Sequence, residues 1–426
     1  MRIGVPTERT QGESRVALAP HAVYELTRAG HRVFVEAGAG EASSIADERY
    51  EEAGARLLED AARIYADSEI VVKVYGPVEE EYEYLREDLI LISFLSLPVN
   101  LELMQALIDS RCIAFAMETI RDARGRLPVL TPMSEIAGRL TPQIGAHYLQ
   151  RPFGGRGILL GGSTGVRPGR VVILGAGIVG AGAASVASGL GAEVVIIDRD
   201  LNRLRQIEDA RLPNTTTLAA SSLGIRDAVL RSDLLIGAVL VVGARTPALV
   251  DRETVSQMKE GSVIVDVDVD YGGCVATSRP TTLADPTFVE YGVTHYCVKN
   301  VPASVPVTAT RALSNALLPY LRRLAGVGLS EALGADEGLA RGVVIAEGRV
   351  VEYVERFAKA RQLKLSRDDG GNGRFRSGRG GLMHVDGATL PWRTTIRTNG
   401  QTRGMVEATG NRIRHLGDGV VDGRGL

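Results

Sequence analysis

The sequence predicts an α/β protein of two Rossmann-like, doubly wound domains, the first discontinuous and both joined by long helices. Three observations carry that expectation. Short β-branched runs alternate with amphipathic stretches from Met1 to about Glu118. A glycine turn, Gly175-Ala176-Gly177-Ile178-Val179-Gly180, lies between an apolar run and a small-residue helix. Two long helical patterns flank that second unit, so the chain leaves the first domain and later returns to it.

In chain order, the first strands are read at Arg2 to Val5, Arg32 to Glu36, Glu69 to Val74, Leu89 to Phe94 and Cys112 to Ala116. Amphipathic helices at His21 to Arg28 and Leu101 to Leu107 separate some of them, the pattern of a mostly parallel sheet. One long helix is expected over Leu130 to Gln150, with Thr131 as N-cap and Pro132 at the first helical position. The glycine-rich stretches Gly154 to Gly157 and Gly161 to Gly165 read as loop. A second α/β unit follows from Gly169 to about Cys297, with strands at Arg170 to Leu174, Glu193 to Ile197, Leu234 to Ala238, Val263 to Val267 and Thr294 to Val298. The second long helix, about Thr308 to Leu324, carries Leu313, Leu317, Leu321 and Leu324 and contains Pro319. The expected domains are 1–128 with 306–360 for substrate, 129–305 for dinucleotide, and an extension at 361–426.

Composition bounds the function. The 426 residues are 45% apolar, enough for two or three cored domains. A net charge of -2 gives no global field toward nucleic acid or an anionic membrane, so neither is expected as a partner. No apolar run approaches a membrane span and the amino terminus lacks a signal-peptide pattern, so the expected location is the cytoplasm. Three widely spaced cysteines argue against a disulfide framework or structural zinc. The last 66 residues hold eleven Arg and one Lys against six acids, a local charge of +6, with 14 Gly and the only tryptophan, Trp392. They read as a disordered extension, in preference to an RNA-binding tail, because the RGG-like Gly378 to Gly381 occurs once.

The glycine turn is the strongest chemical signal. Gly175 allows the tight turn, Gly177 lets a pyrophosphate approach the backbone, and Gly180 permits close packing of helix on strand. The helix amino terminus offers free N–H groups to the phosphates. Asp198, 18 residues beyond Gly180, ends the next strand and suits the adenine-ribose hydroxyls, which favours NAD over NADP. Arg199 beside it is the one feature that could admit a 2'-phosphate. The carboxyl ends of the later strands place Val239, Leu240, Val267, Asp268, Asp270, Asn300 and Val301 near the nicotinamide.

These residues resemble the alanine dehydrogenase family, with the NAD-binding subunit of proton-pumping transhydrogenase as a more distant relative. The resemblance runs from Met1 to about Leu363. It is most specific in Arg15 to Leu18, Pro132 to Arg139, Ile236 to Leu240, Tyr271 to Cys274, Ser278 to Thr282 and Val301 to Pro306. It implies an NAD-binding middle domain, a discontinuous substrate domain, a homohexamer (or a homodimer), and reversible oxidative deamination of a small amino acid. It also implies that Arg15 holds the substrate carboxylate, that Ser134 and Arg203 contact the cofactor, and that Asp270 is the active-site aspartate.

The same resemblance marks two departures. The family carries its catalytic lysine where Tyr75 stands and its acid-base histidine where Ser96 stands. Loss of the ammonium weakens carboxylate or carbonyl stabilisation, and serine does not shuttle protons near neutrality as imidazole does. Each loss alone is worth ~10²-fold or more, so ordinary alanine turnover is not expected. Tyr75 can still donate to a carbonyl or imine, and Asp268 puts a second carboxylate two residues from Asp270, where like charges raise one pKa. Lys73, two residues from Tyr75 and on the same strand face, lies one pleat deeper and does not easily replace the lost ammonium, though it and Asn300 are counted among the substrate-binding residues. Two functions follow: an oxidoreductase, or imine reductase, of a small amino, imino or oxo acid; or a catalytically inactive NAD-binding paralogue. A transhydrogenase-like role lacks a membrane anchor.

Overall fold

The computed structural model describes residues 1–239, 246–269, 272–351, 392–398, 401–409 and 412–416. Six strands open the first sheet: β1 Arg2–Val5, β2 Arg32–Glu36, β3 Arg56–Leu58, β4 Ile70–Tyr75, β5 Ile90–Phe94 and β6 Ile113–Ala116. All pair in parallel. The second sheet holds β7 Arg170–Leu174, β8 Glu193–Asp198, β9 Thr215–Ala219, β10 Leu234–Gly237, β11 Val263–Asp266, β12 Thr287–Glu290 and β13 Val293–Tyr296. Its order is β12-β13-β11-β10-β7-β8-β9, with only β12 antiparallel at its edge. The chain then returns: β14 Val343–Ala346 and β15 Arg349–Val350 extend the first sheet, giving β15-β14-β6-β5-β4-β1-β2-β3.

Both sheets are doubly wound, and each reverses its strand order beside its first strand: between β1 and β4, and between β7 and β10. A crevice at the carboxyl ends of the strands is therefore expected at those two points. Two long helices tie the sheets together. Thr131–Tyr148 packs through Gly138, where a Cβ would come within 2.3 Å of Val179 O, against the helix Ile178–Gly189. Pro306–Val327 buries Leu313, Leu317, Leu321 and Leu324 under the first sheet with Ile3 and Val5. Each such leucine contributes roughly 1.5–3 kcal/mol. Among the described residues no helix is long and apolar enough to cross a membrane.

Two expectations need correction. Thr131 is the first residue of its helix and Leu130 the N-cap; the Thr131 hydroxyl donates to Leu127 O at 2.8 Å instead of accepting an N–H. The extension is not wholly without structure. Trp392–Thr398, Gln401–Thr409 and Arg412–Leu416 form β16, β17 and β18 of an antiparallel meander. These stretches hold Thr, Ile, Val and Trp, which suit strands, a signal hidden by the glycine and charge content of the whole segment. The remainder of the extension, including the RGG-like stretch, lies outside the described residues.

Candidate active site

The dinucleotide half is built from backbone. Gly175 follows β7 with φ +98°, and a Cβ there would meet Ala238 O at 2.2 Å. Gly180 is tighter still: its Cβ would lie 1.8 Å from Gly175 O. Gly177 is the N-cap of the Ile178–Gly189 helix and has little beside it except Arg203 Nη1, 3.8 Å from where its Cβ would stand. Any L side chain at 175 or 180 therefore displaces the turn, while position 177 leaves open space for a ligand.

Asp198, nearly buried at the end of β8, accepts the Ala176 N–H at 2.6 Å and the Asp200 N–H at 2.8 Å. This locks the carboxylate against the turn with lone pairs left for ribose hydroxyls. Arg203 approaches Asp198 at 3.8 Å and Asp200 at 3.7 Å. Val239 lies across the turn, its side chain 3.2 Å from the Cβ position of Gly175, and its carbonyl accepts the Thr246 hydroxyl at 3.1 Å. The turn, the helix start and Asp198 together fit a dinucleotide with a free 2'-hydroxyl.

The other half is built from charge. Just after β1, Arg15 and Glu13 form a bidentate pair, Nε to Oε1 and Nη2 to Oε2 both at 2.7 Å, with side chains 2% and 0% exposed. Burial works against the guanidinium charge, but the bonds and charge of Glu13 outweigh it, and the net move of its pKa is upward. Arg15 also reaches across to Met133 Sδ on the long helix at 3.1 Å. Its guanidinium carbon lies 5.6 Å from the centre of the Tyr75 ring, within cation–π range. From the second domain, Asn300 donates to Glu13 at 2.6 Å and holds φ +58°. Arg15 and Tyr75 thus stand together, and Asn300 joins them through Glu13.

Other sites lie differently. Lys73 is correctly placed on β4, but its ammonium is withdrawn into a bidentate pair with Glu81, both bonds 2.7 Å and both side chains 1% exposed. It is a buried structural cation in this conformation, not a substrate contact. Ser96 follows β5 with φ +46°, a left-handed conformation costly for serine, and its N–H donates to Glu118 at 2.7 Å. Ser134 is partly buried in the first turn of the long helix, and Val301 is buried at the start of the 3-10 turn Val301–Ser304. Val267 is partly buried and Asp268 buried, both just beyond β11. Leu240 and Asp270 lie outside the described residues.

Four carboxyl groups escaped the sequence reading. Glu13 holds Arg15. Glu8 accepts the Val74 and Tyr75 N–H groups at 2.6 and 3.2 Å, and burial pushes its pKa up to about 7 against the pull of Lys73. Glu118 anchors Leu95 and Ser96, and burial raises it too. Asp266 ends β11 and accepts from Cys274 N, Val275 N and Ser278 Oγ, which ties down the loop after that strand. Burial is also the main cause of its raised pKa. Nothing in the local sequence distinguishes such acids from solvated ones.

The chain matches the family model described as Alanine dehydrogenase/PNT, N-terminal domain, over residues 4–137, and its C-terminal domain counterpart over residues 141–353. Alanine dehydrogenase of Bacillus subtilis (strain 168) is 48% identical over 351 residues, covering 82% of this chain and 92% of that protein. Alanine dehydrogenase of Mycobacterium tuberculosis (strain ATCC 25618 / H37Rv) is 46% identical, covering 82% and 95%. A solved L-alanine dehydrogenase superposes with TM-score 0.81 at 47% identity, covering 84% of this chain and 99% of that one. A transhydrogenase from Sinorhizobium meliloti follows with TM-score 0.70 at 26% identity, covering 82% and 99%. With two doubly wound sheets, a dinucleotide turn and both domain models matched, the chain belongs to the alanine dehydrogenase/PNT family, as an NAD-dependent oxidoreductase.

Proposed function

We propose that the chain oxidises or reduces a small 2-amino or 2-oxo acid, or the corresponding imine, other than alanine and pyruvate. The observation that carries this reading is the Arg15 guanidinium lying over the Tyr75 ring, at the point where the family resemblance places a lysine. NAD, held by the Gly175 turn and Asp198, supplies the hydride acceptor for the substrate α-carbon. Arg15 orients the substrate carboxylate with its remaining N–H capacity. The Tyr75 hydroxyl supplies a neutral donor in place of an ammonium, which favours a carbonyl or imine and weakens the hold on a second anion. Ser96 has no imidazole to offer, so proton handling passes to other groups of the cleft. Asp268 and Asp270 are assigned to the nicotinamide side, with Ser134, Arg203, Val239, Leu240, Val267 and Val301 around the cofactor.

The test is a panel of 2-oxo acids with ammonia and small amines, read by NADH consumption. Turnover of a member other than pyruvate, in preference to it, supports the reading. A second reading draws on the Arg15–Glu13 pair, which already occupies the guanidinium: NADH binding with no turnover of any panel member would make the chain an inactive NAD-binding relative. We further propose self-association as a homohexamer or homodimer through the long helices, to be read as particle mass in solution.

A further inference from the structure

Glu8 has no part in the reaction described so far. It lies three residues past β1, and both its oxygens are tied to the end of β4 through the Val74 and Tyr75 N–H groups. The groups that face it are Lys73 and Tyr75 of β4, Glu13 and Arg15 of the loop after β1, and Tyr65 of the helix Ala61–Asp67. Two cations, Arg15 and Lys73, serve three carboxyl groups here: Glu8, Glu13 and Glu81. The cluster is neutral with Glu8 protonated and carries a net negative charge with Glu8 ionised. A substrate carboxylate arriving at Arg15 adds one more negative charge to the same buried region, and a like charge favours the protonated form of its neighbour.

We propose that Glu8 is the proton reservoir of the substrate site: entry of a carboxylate at Arg15 drives proton uptake by Glu8, beside Tyr75. The inference rests on the reading that a substrate carboxylate seats at Arg15. The step is a proton transfer alone. A solvent proton forms an O–H bond on the Glu8 carboxylate, and no electrons change hands. Reduction of an oxo acid with ammonium consumes one further proton besides the hydride, and oxidation of the amino acid releases it. Glu8 takes its own proton from solvent as the carboxylate enters and returns it to solvent as the carboxylate leaves, which balances the charge of the region while the reaction runs. Burial brings its ionisation up to about 7, within reach of one added charge. Its carboxylate bonds the backbone of Val74 and Tyr75, so it acts on the site through the local field and is a positioning residue.

The experiment uses the full chain saturated with NADH in weak buffer at about pH 7.5, with pyruvate and glyoxylate as probes and a pH indicator as readout. Uptake of about half a proton per bound probe is expected, falling away several units above or below neutrality. Glu8→Gln should bind the probe with uptake lost, and Glu8→Asp should restore uptake. If the Gln variant fails to fold, the infrared carboxyl stretch of the unliganded wild type replaces it: a protonated band titrating near neutrality is required. Probe binding without uptake, equal uptake by Glu8→Gln, or no such band overturns the role of Glu8 and leaves the substrate reading standing. Failure of every 2-oxo acid to bind sinks the substrate reading and the coupling with it.

Discussion

The two halves of the cleft hold their ligands by opposite means. At the Gly175 turn the protein removes side chains, so that backbone N–H groups and one anchored carboxylate, Asp198, form the surface. At the Arg15 end it buries charges and satisfies them with one another: Arg15 with Glu13, Lys73 with Glu81, and Glu8 with two amides. The first half tolerates no added bulk. The second tolerates no unbalanced charge. A change that is severe in one half should therefore be mild in the other, and several measurements test that contrast.

The largest effect is expected at Lys73. Replacement by Met leaves Glu81 buried without its cation, at a cost of about 3–5 kcal/mol in unfolding free energy. Urea denaturation measures it, and a loss under 1 kcal/mol would show that the pair is not buried as described.

Next comes the pH dependence of stability. The carboxyl of Glu8 is raised in the folded chain, from 4.5 to about 7. Between these values the folded state binds more protons than the unfolded one, so stability falls as pH rises. The contribution of Glu8 is fully present below 4.5 and lost once pH has passed about 7. Its size is on the order of 3 kcal/mol. Denaturation of wild type and Glu8→Gln on either side of this window should show the slope only in the wild type.

Restoring the two family residues, Tyr75→Lys with Ser96→His, tests whether the charged half is otherwise built for alanine. A gain in alanine oxidation of ~10²-fold or more is expected, read as NADH formation. No gain would mean that the surrounding carboxyls have also been retuned. In the cofactor half, Gly180→Ala forces a Cβ to within 1.8 Å of Gly175 O. Overpacking of that kind costs about 1–3 kcal/mol, so NADH affinity should fall roughly 10- to 100-fold in a fluorescence titration.

The same contrast explains what the sequence disclosed. Backbone-built features carry their signal in order along the chain: β1 and β7 stand where the apolar runs place them, and Gly175 to Gly180 lead to Asp198 in register. Edge strands β3, β9 and β12 were not legible, because solvated strands such as Thr215–Ala219 lack an apolar face. Charge-built features were half legible. Arg15 and Tyr75 stood out through family resemblance, but Glu8, Glu13 and Glu118 become partners only when the first sheet brings 8 to 75 and 118 to 96, and the second domain brings 300 to 13. The same holds for Lys73: its place on β4 was readable, but its partner Glu81, eight residues on, was not. The face it was expected to share with Tyr75 is lost because the register shifts between Val72 and Tyr75, which turns Tyr75 to the side of Val72 and Val74.

Arg203 sits on the rim of the cofactor half, where both rules weaken, and so marks the lower end of the scale. Its two ion pairs are long, 3.8 Å to Asp198 and 3.7 Å to Asp200, and its side chain is 53% exposed. Pairs of this kind contribute about 0–1 kcal/mol, further reduced by salt. Arg203→Ala should therefore leave unfolding nearly unchanged. A direct bond to a cofactor phosphate would behave otherwise, since a charge-assisted bond is worth about 1.5–3 kcal/mol, roughly tenfold or more in NADH affinity. Comparing the two readouts at low and high salt separates a rim charge from a true phosphate ligand: equal, small changes in both place Arg203 on the surface, and a selective loss of NADH binding moves it into the site.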